Sequence, residues 1–300
     1  MTAVRMGVWS RIAIGLATVV GVLAFTWPFL AEPGSTAVAH SADAPWVFAA
    51  LIPLVLAVVM AQVADGGMDA KSIAVLGVLV AVVAALRPLG AGTAGLEPIW
   101  FIIVLGGRAL GPGFGFALGS LSLGASALLT GGVGPWLPFQ MVAAAWVGLG
   151  AGLLPPLRGR AEIIMLAAYG LLASMAYGLI MNLWFWPFLS GLEATAYSDG
   201  ILYAPGATVT ENLGRWLAFS LVTSLGWDIP RGVITAVLIA LVGRPVLVAL
   251  HRTARRANFA PAVTFEPAPA SDTTVADAIP PVRSVRLAEP PLSDSNASLR

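Results

Sequence analysis

Long apolar runs, each ended by a short cluster of glycine, proline or charge, set the pattern of this chain. Eight of them lie at about 12–31, 46–64, 71–88, 97–110, 112–131, 136–156, 162–189 and 229–250. Several approach the roughly 20 residues that a helix needs to cross about 30 Å of hydrocarbon. The fourth is short and stops at a sharp break, Gly111-Pro112. A further apolar piece, 216–226, is too short to span and reads as a re-entrant or interfacial helix leading into the last run. The pattern predicts an all-α integral membrane protein with about eight spans.

Composition agrees with the pattern. The chain is 58% hydrophobic and 10% charged, against roughly 25% charged residues in a soluble protein. It has no cysteine, which excludes thiolate metal sites and cysteine nucleophiles. His40 and His251 both lie outside the apolar runs, so no metal site is expected within the membrane. Arg5 and Arg11 precede the first run, which is longer than the roughly 7–15 residues of a signal-peptide core. It reads as a retained span, although Ala37-Val-Ala-His40 resembles a small-residue cleavage site.

Charge placement orients the spans. With the N-terminus inside, Arg5, Arg11, Lys71, Arg108, Arg158, Arg160, Arg252, Arg255 and Arg256 fall on inner loops, and Arg87, Arg215 and Arg231 on outer ones. That is the positive-inside distribution. It predicts a multi-pass membrane protein, in contact with lipid, with both termini cytoplasmic; no nucleic-acid partner is expected. Three parts follow: two N-terminal helices in 1–66, a six-helix core in 67–253, and a Pro-rich tail in 254–300 without hydrophobic period, expected to be disordered.

Between Gly106 and Gly152 almost every residue is apolar or small, and Arg108 carries the only formal charge. Gly111, Gly115 and Gly119 recur every fourth residue, as do Gly77, Ala81 and Ala85 in the third run and Ala13 and Ala17 in the first. Such stripes let helix backbones approach closely in a bilayer. They serve packing inside the bundle or docking of a partner. Gly-x-Gly-x-Phe here is no phosphate loop, because no strand precedes it and no Gly-Lys-Ser follows.

The order of features across 71–157 resembles the substrate-binding (S) component of energy-coupling factor (ECF) vitamin transporters. A first core helix carries the alanine stripe Ala81 and Ala85. The short Pro98-Ile-Trp-Phe-Ile-Ile-Val-Leu-Gly helix follows, then the Gly111-Pro112-Gly113-Phe114-Gly115 junction and a helix with Gly119, Ser120 and Ser122. A Gly134-Pro-Trp-Leu-Pro-Phe turn then opens a helix ending in Gly148-Leu-Gly-Ala-Gly152. The two extra helices and long tail are similar to long actinobacterial variants, which implies a bacterial cell membrane. The resemblance implies capture of a vitamin or precursor at the outer face. It also implies docking through Gly77, Ala81 and Ala85 to a transmembrane T component driven by two ABC-type ATPases. ATP would be used by those partners, with no cofactor in this chain. The Ala13/Ala17 pair leaves open which stripe docks.

A ligand pocket is expected among the outer helix halves and the 190–231 loop, which are rich in tryptophan and polar groups. Its candidates are Glu97, Trp100, Trp136, Gln140, Asn182, Trp186, Trp216, Asp228 and Arg231. An interfacial aromatic belt accounts for part of the tryptophans. Glu97, Asp228 and Arg231 also suit solvated helix ends. The amides of Gln140 and Asn182 need partners in a bilayer, from neighbouring helices or a ligand. The spans carry no recognisable catalytic constellation, so no enzyme is expected. A stand-alone carrier or channel is the alternative. A coupled carrier would place ionisable groups within the membrane, and the spans hold few. Among vitamins, a corrinoid is the first guess.

Overall fold

The computed structural model describes residues 6–30, 51–65, 68–90, 95–189 and 199–258. The cleavage-like motif at 37–40, Tyr197 in the outer loop and the tail beyond 258 lie outside the described residues. Within them the chain is helical. It forms α1 (Val8–Leu30), α2 (Leu51–Ala64), α3 (Ala70–Leu86), α4 (Trp100–Leu110), α5 (Pro112–Thr130), α6 (Leu137–Leu153), α7 (Arg160–Leu189), α8 (Val209–Thr223) and α9 (Leu225–Asn258). A 3₁₀ turn, Arg87–Gly90, extends α3.

Every predicted apolar run contains a helix, but the helices differ in reach. Five are long and apolar enough to cross a membrane: Val8–Leu30, Ala70–Gly90, Pro112–Thr130, Arg160–Leu189 and Leu225–Thr253. α2, α4 and α6 are shorter. α4 has 11 residues, and at 1.5 Å per residue it reaches only about 16 Å. The 216–226 piece belongs to α8, which starts earlier than expected and is separated from α9 only by Ser224. The last helix continues to Asn258, into the segment assigned to the tail, through a run of arginine and alanine that favours helix.

Local chemistry fixes several ends. At Gly111 φ is +104°, a value that side chains disfavour, and Pro112 then opens α5 with its ring pre-set for a first turn. Thr208 accepts from the Glu211 N–H at 3.2 Å and starts α8. Asp69 accepts from the Ser72 N–H at 2.8 Å and starts α3. Its bonds to Ser72 hold the Asp69 carboxyl below the usual carboxylate range. A lowered folded value means this cap is complete above the ordinary carboxylate pKa and fades as pH falls through the lowered one. Asp69→Ala is expected to cost about 1 kcal/mol, read as a lower thermal midpoint at pH 7 and a smaller difference from wild type in acid.

Helices α5 and α6 form the closest contact. A Cβ on Gly148 would overlap the Gly115 carbonyl, one on Gly115 or Gly107 would overlap the Gly148 carbonyl, and one on Gly119 would overlap the Ala144 carbonyl. The expected glycine stripe is thus consumed by packing among α4, α5 and α6. α4 is almost wholly enclosed. The two extra helices close the far side of α6. Phe25 of α1 meets Phe139 edge-on at 5.1 Å and Trp146 at 5.7 Å. Gln62 of α2 donates to the Gly113 carbonyl at 3.0 Å.

The bundle has two chemically distinct ends. At one, Arg108 pairs with Glu162 at 2.7 Å and donates to the Leu154 carbonyl at 3.0 Å. The Ser10 hydroxyl donates to Asp65 at 2.6 Å there as well. The other end gathers the C-terminal turns of α3 and α5, the N-terminal turns of α4, α6 and α9, the outer half of α7, and α8. The polar cavity lies there.

Candidate functional site

A cavity of about 270 Å³ is lined by Arg87, Glu97, Trp100, Gln140, Tyr177, Asn182, Ser224, Trp227, Asp228 and Arg231, among others. Six of the nine residues expected to bind ligand converge here: Glu97, Trp100, Gln140, Asn182, Asp228 and Arg231. Their separation in sequence is bridged by four helices, α4, α6, α7 and α9, and the segment before α4.

Arg231 organises one wall. Its guanidinium forks onto Glu97, with Nε to Oε2 and Nη2 to Oε1 both at 3.3 Å. Its Nη1 donates to Asp228 Oδ1, three residues back on α9. The Ser224 hydroxyl donates to Asp228 Oδ2 at 2.9 Å, and Asn182 Nδ2 donates to Ser224 at 2.7 Å and to Ser220 at 3.1 Å. The Trp100 indole N–H donates to Glu97 Oε2 at 2.9 Å. Every carboxylate oxygen in this wall therefore has a donor. Tyr177 stands behind it, 4.2 Å from the Trp100 ring, with the Arg231 guanidinium 5.6 Å from its own ring centre.

This corrects one expectation. Asp228 and Arg231 are not solvated helix ends. They are 2% and 8% exposed, because α9 begins at Leu225, earlier than the apolar run that predicted it. Burial is feasible because Gly178 on α7 has no side chain: a Cβ there would overlap the Asp228 carboxylate and lie 2.6 Å from Arg231. The buried ionisable groups thus lie at one end of the bundle, in the first turns of α9.

A second wall carries Arg87, at the end of α3. It donates to the Ser126 hydroxyl at 2.5 Å, the Leu123 carbonyl at 3.4 Å and Gln140 Oε1 at 2.9 Å. Sequence reasoning counted Arg87 only as an outer-loop charge and passed over Tyr177 and Ser224. The pair Tyr177-Gly178 inside an apolar run was the one signal available for the second.

Three predicted residues lie elsewhere. Trp136 packs on Trp184, ring to ring at 6.0 Å. Trp186 is fully buried, donates to the Ile201 carbonyl at 2.8 Å and packs on Tyr203. Trp216 is half-buried against the same aromatic cluster. Of the two small-residue stripes, Ala17 is fully buried, whereas Gly77, Ala81 and Ala85 are exposed along α3. No group of acidic or histidine side chains suited to a metal occurs among the described residues.

The fold and cavity define a multi-pass helical membrane protein with a polar chamber near one end. No protein-family model, no curated protein and no solved structure matches the chain.

Proposed function

We propose that the chain is a membrane-embedded substrate-binding subunit of an ATP-driven importer of the ECF type. The observation that carries the proposal is the chamber itself: aromatic faces and a few convergent polar groups, the usual make-up of a small-molecule site, inside an otherwise apolar bundle. Under the positive-inside rule the chamber faces outward and both termini lie in the cytoplasm of a bacterial cell. The eight-span count treats α2, α4 and α6 as spans completed by neighbouring turns. The reading assigns no chemical step to this chain; ATP is hydrolysed by two partner ATPases joined to it through a T component.

The exposed face of Gly77, Ala81 and Ala85 supports docking by α3 rather than α1. A Cβ at Gly77 meets nothing within 4 Å, so bulk can be added without disturbing the chain itself. Ala81→Trp should leave thermal stability within about 0.5 kcal/mol of wild type, as surface changes do, and abolish co-purification of a T component with its two ATPases. Full retention of those partners by the variant would remove the docking face. Transport by the purified chain alone in proteoliposomes would remove the importer reading.

That last outcome would favour a stand-alone carrier. The buried Asp228–Arg231–Glu97 cluster is the observation on its side, since ionisable groups inside a membrane bundle often serve coupling. Size bears on the ligand. At about 270 Å³ the chamber falls just below the roughly 300–1,000 Å³ of ordinary ligand sites. A compact planar vitamin or precursor suits it better than a macrocyclic corrinoid.

A further inference from the structure

The four charges of the chamber, Arg87, Arg231, Glu97 and Asp228, sum to zero but are unevenly placed. Glu97 and Asp228 are both committed to Arg231. Arg87 shares the same chamber, yet its partners are a hydroxyl, a backbone carbonyl and an amide oxygen, all neutral. Among the described residues no carboxylate lies within ion-pairing distance of it. Arg87 is half-buried, and a guanidinium within a membrane bundle is costly to the extent that it is withdrawn from water without a partner. Among the described residues Arg87 therefore lacks a counter-ion, and its planar fork is the group best suited to take a carboxylate or phosphate.

The surroundings agree. An arginine has only donors, so it fixes the Gln140 oxygen toward itself and leaves the Gln140 N–H₂ free to donate elsewhere. Tyr177 lines the same chamber, and its hydroxyl makes no hydrogen bond to any described residue. The Gln140 donor thus lies on the Arg87 side, while the acceptors on the Arg231 side are already occupied. The rings of Trp100 and Tyr177, inclined at 50° to each other, line the chamber between them.

Building on the importer reading, we infer that the ligand is a compact planar acid whose single carboxylate or phosphate ion-pairs with Arg87. Gln140 and Tyr177 donate to the same group, and the ring system lies along Trp100. Neutral amides of the same ring system lack the charge that Arg87 needs, and cationic ligands meet repulsion there.

The test uses the full chain in detergent. Thermal midpoints are read with matched pairs of probes: indole-3-acetate against indole-3-acetamide, nicotinate against nicotinamide, and pyridoxal phosphate against pyridoxal, with thiamine as a cationic probe. At least one acid should raise the midpoint of wild type more than its neutral partner does. Arg87→Gln should weaken that acid about tenfold to a hundredfold, the worth of one charged hydrogen-bonded contact, and Arg87→Lys should restore part of it. A ligand-independent arm places the missing anion in the protein. Gln140→Glu should raise the midpoint of the empty chain and abolish stabilisation by acids. The inference is overturned if no acid exceeds its neutral partner, if thiamine binds best, or if Gln140→Glu lowers the midpoint of the empty chain. Recovery of the T component and ATPases is scored separately: partners with a cationic ligand would sink this inference alone, and acid binding without partners would sink the importer reading alone.

Discussion

Arg231→Gln should unfold or grossly destabilise the chain, by about 3–5 kcal/mol, the cost of removing one partner from a buried ion pair. The substitution strands two carboxylates, Glu97 with two lost bonds and Asp228 with one. It keeps the volume of the site roughly constant, so the loss would report charge rather than packing. Glutamine can replace at most two of the three donors and none of the charge. The comparison that isolates the cause is Arg231→Gln with Glu97→Gln and Asp228→Asn added. Neutralising all three removes the stranded charges, and buried ionic groups replaced together are often tolerated. The expected result is a severe drop in thermal midpoint for the single variant and recovery of most of it in the triple one. A single variant as stable as wild type would show that the cluster is solvated, contrary to its burial.

Gly148→Leu should be still more damaging. Overpacking normally costs about 1–3 kcal/mol because neighbouring side chains can shift. Here the obstacle is the Gly115 backbone, and Gly107 presses on the Gly148 carbonyl from α4. No rotamer change relieves a clash between a Cβ and a carbonyl, so α5 and α6 must separate along their length. The expected outcome is loss of the monodisperse peak in size-exclusion chromatography. Gly15→Leu is the control. A Cβ at Gly15 meets nothing within 4 Å, and leucine is the better helix former, so that variant should run as wild type.

The helices were legible because a bilayer leaves few alternatives: an apolar run of sufficient length has to satisfy its backbone internally. Helix ends were less legible where polar residues begin a helix. α8 is the case in point. Its apolar half was recognised, but the Thr208-Val-Thr-Glu211 start is a capping-box sequence that places the helix seven residues earlier than the apolar piece, at Val209 rather than 216. The chamber was legible in part for a related reason. Gln140, Asn182, Asp228 and Arg231 are polar within or beside apolar runs, and that contrast is visible along a chain. Arg87 was not, because a basic residue at the end of a span is ordinary. Only the tertiary fold shows that it turns toward Ser126 and Gln140. Trp136, Trp186 and Trp216 were over-read, since tryptophans near a membrane surface pack on one another as readily as on a ligand.

The enclosure of α4 and α6 has a consequence for how the protein meets its membrane. A helix in contact with lipid must match the hydrocarbon thickness, by tilting or by deforming the bilayer around it. α4 and most of α6 are wrapped by other helices, so their shortness imposes no such matching. The mismatch falls on the outer helices α1, α3, α7 and α9, and on the short α2, which exposes Leu56 and Met60. In a thicker or thinner bilayer these helices can change tilt while the short central pair, locked by glycine contacts, keeps its length and register. Lipid composition thereby acts on the outer helices, including the α3 and α9 segments that bring Arg87 and Arg231 to the chamber, and leaves the α5–α6 contact untouched.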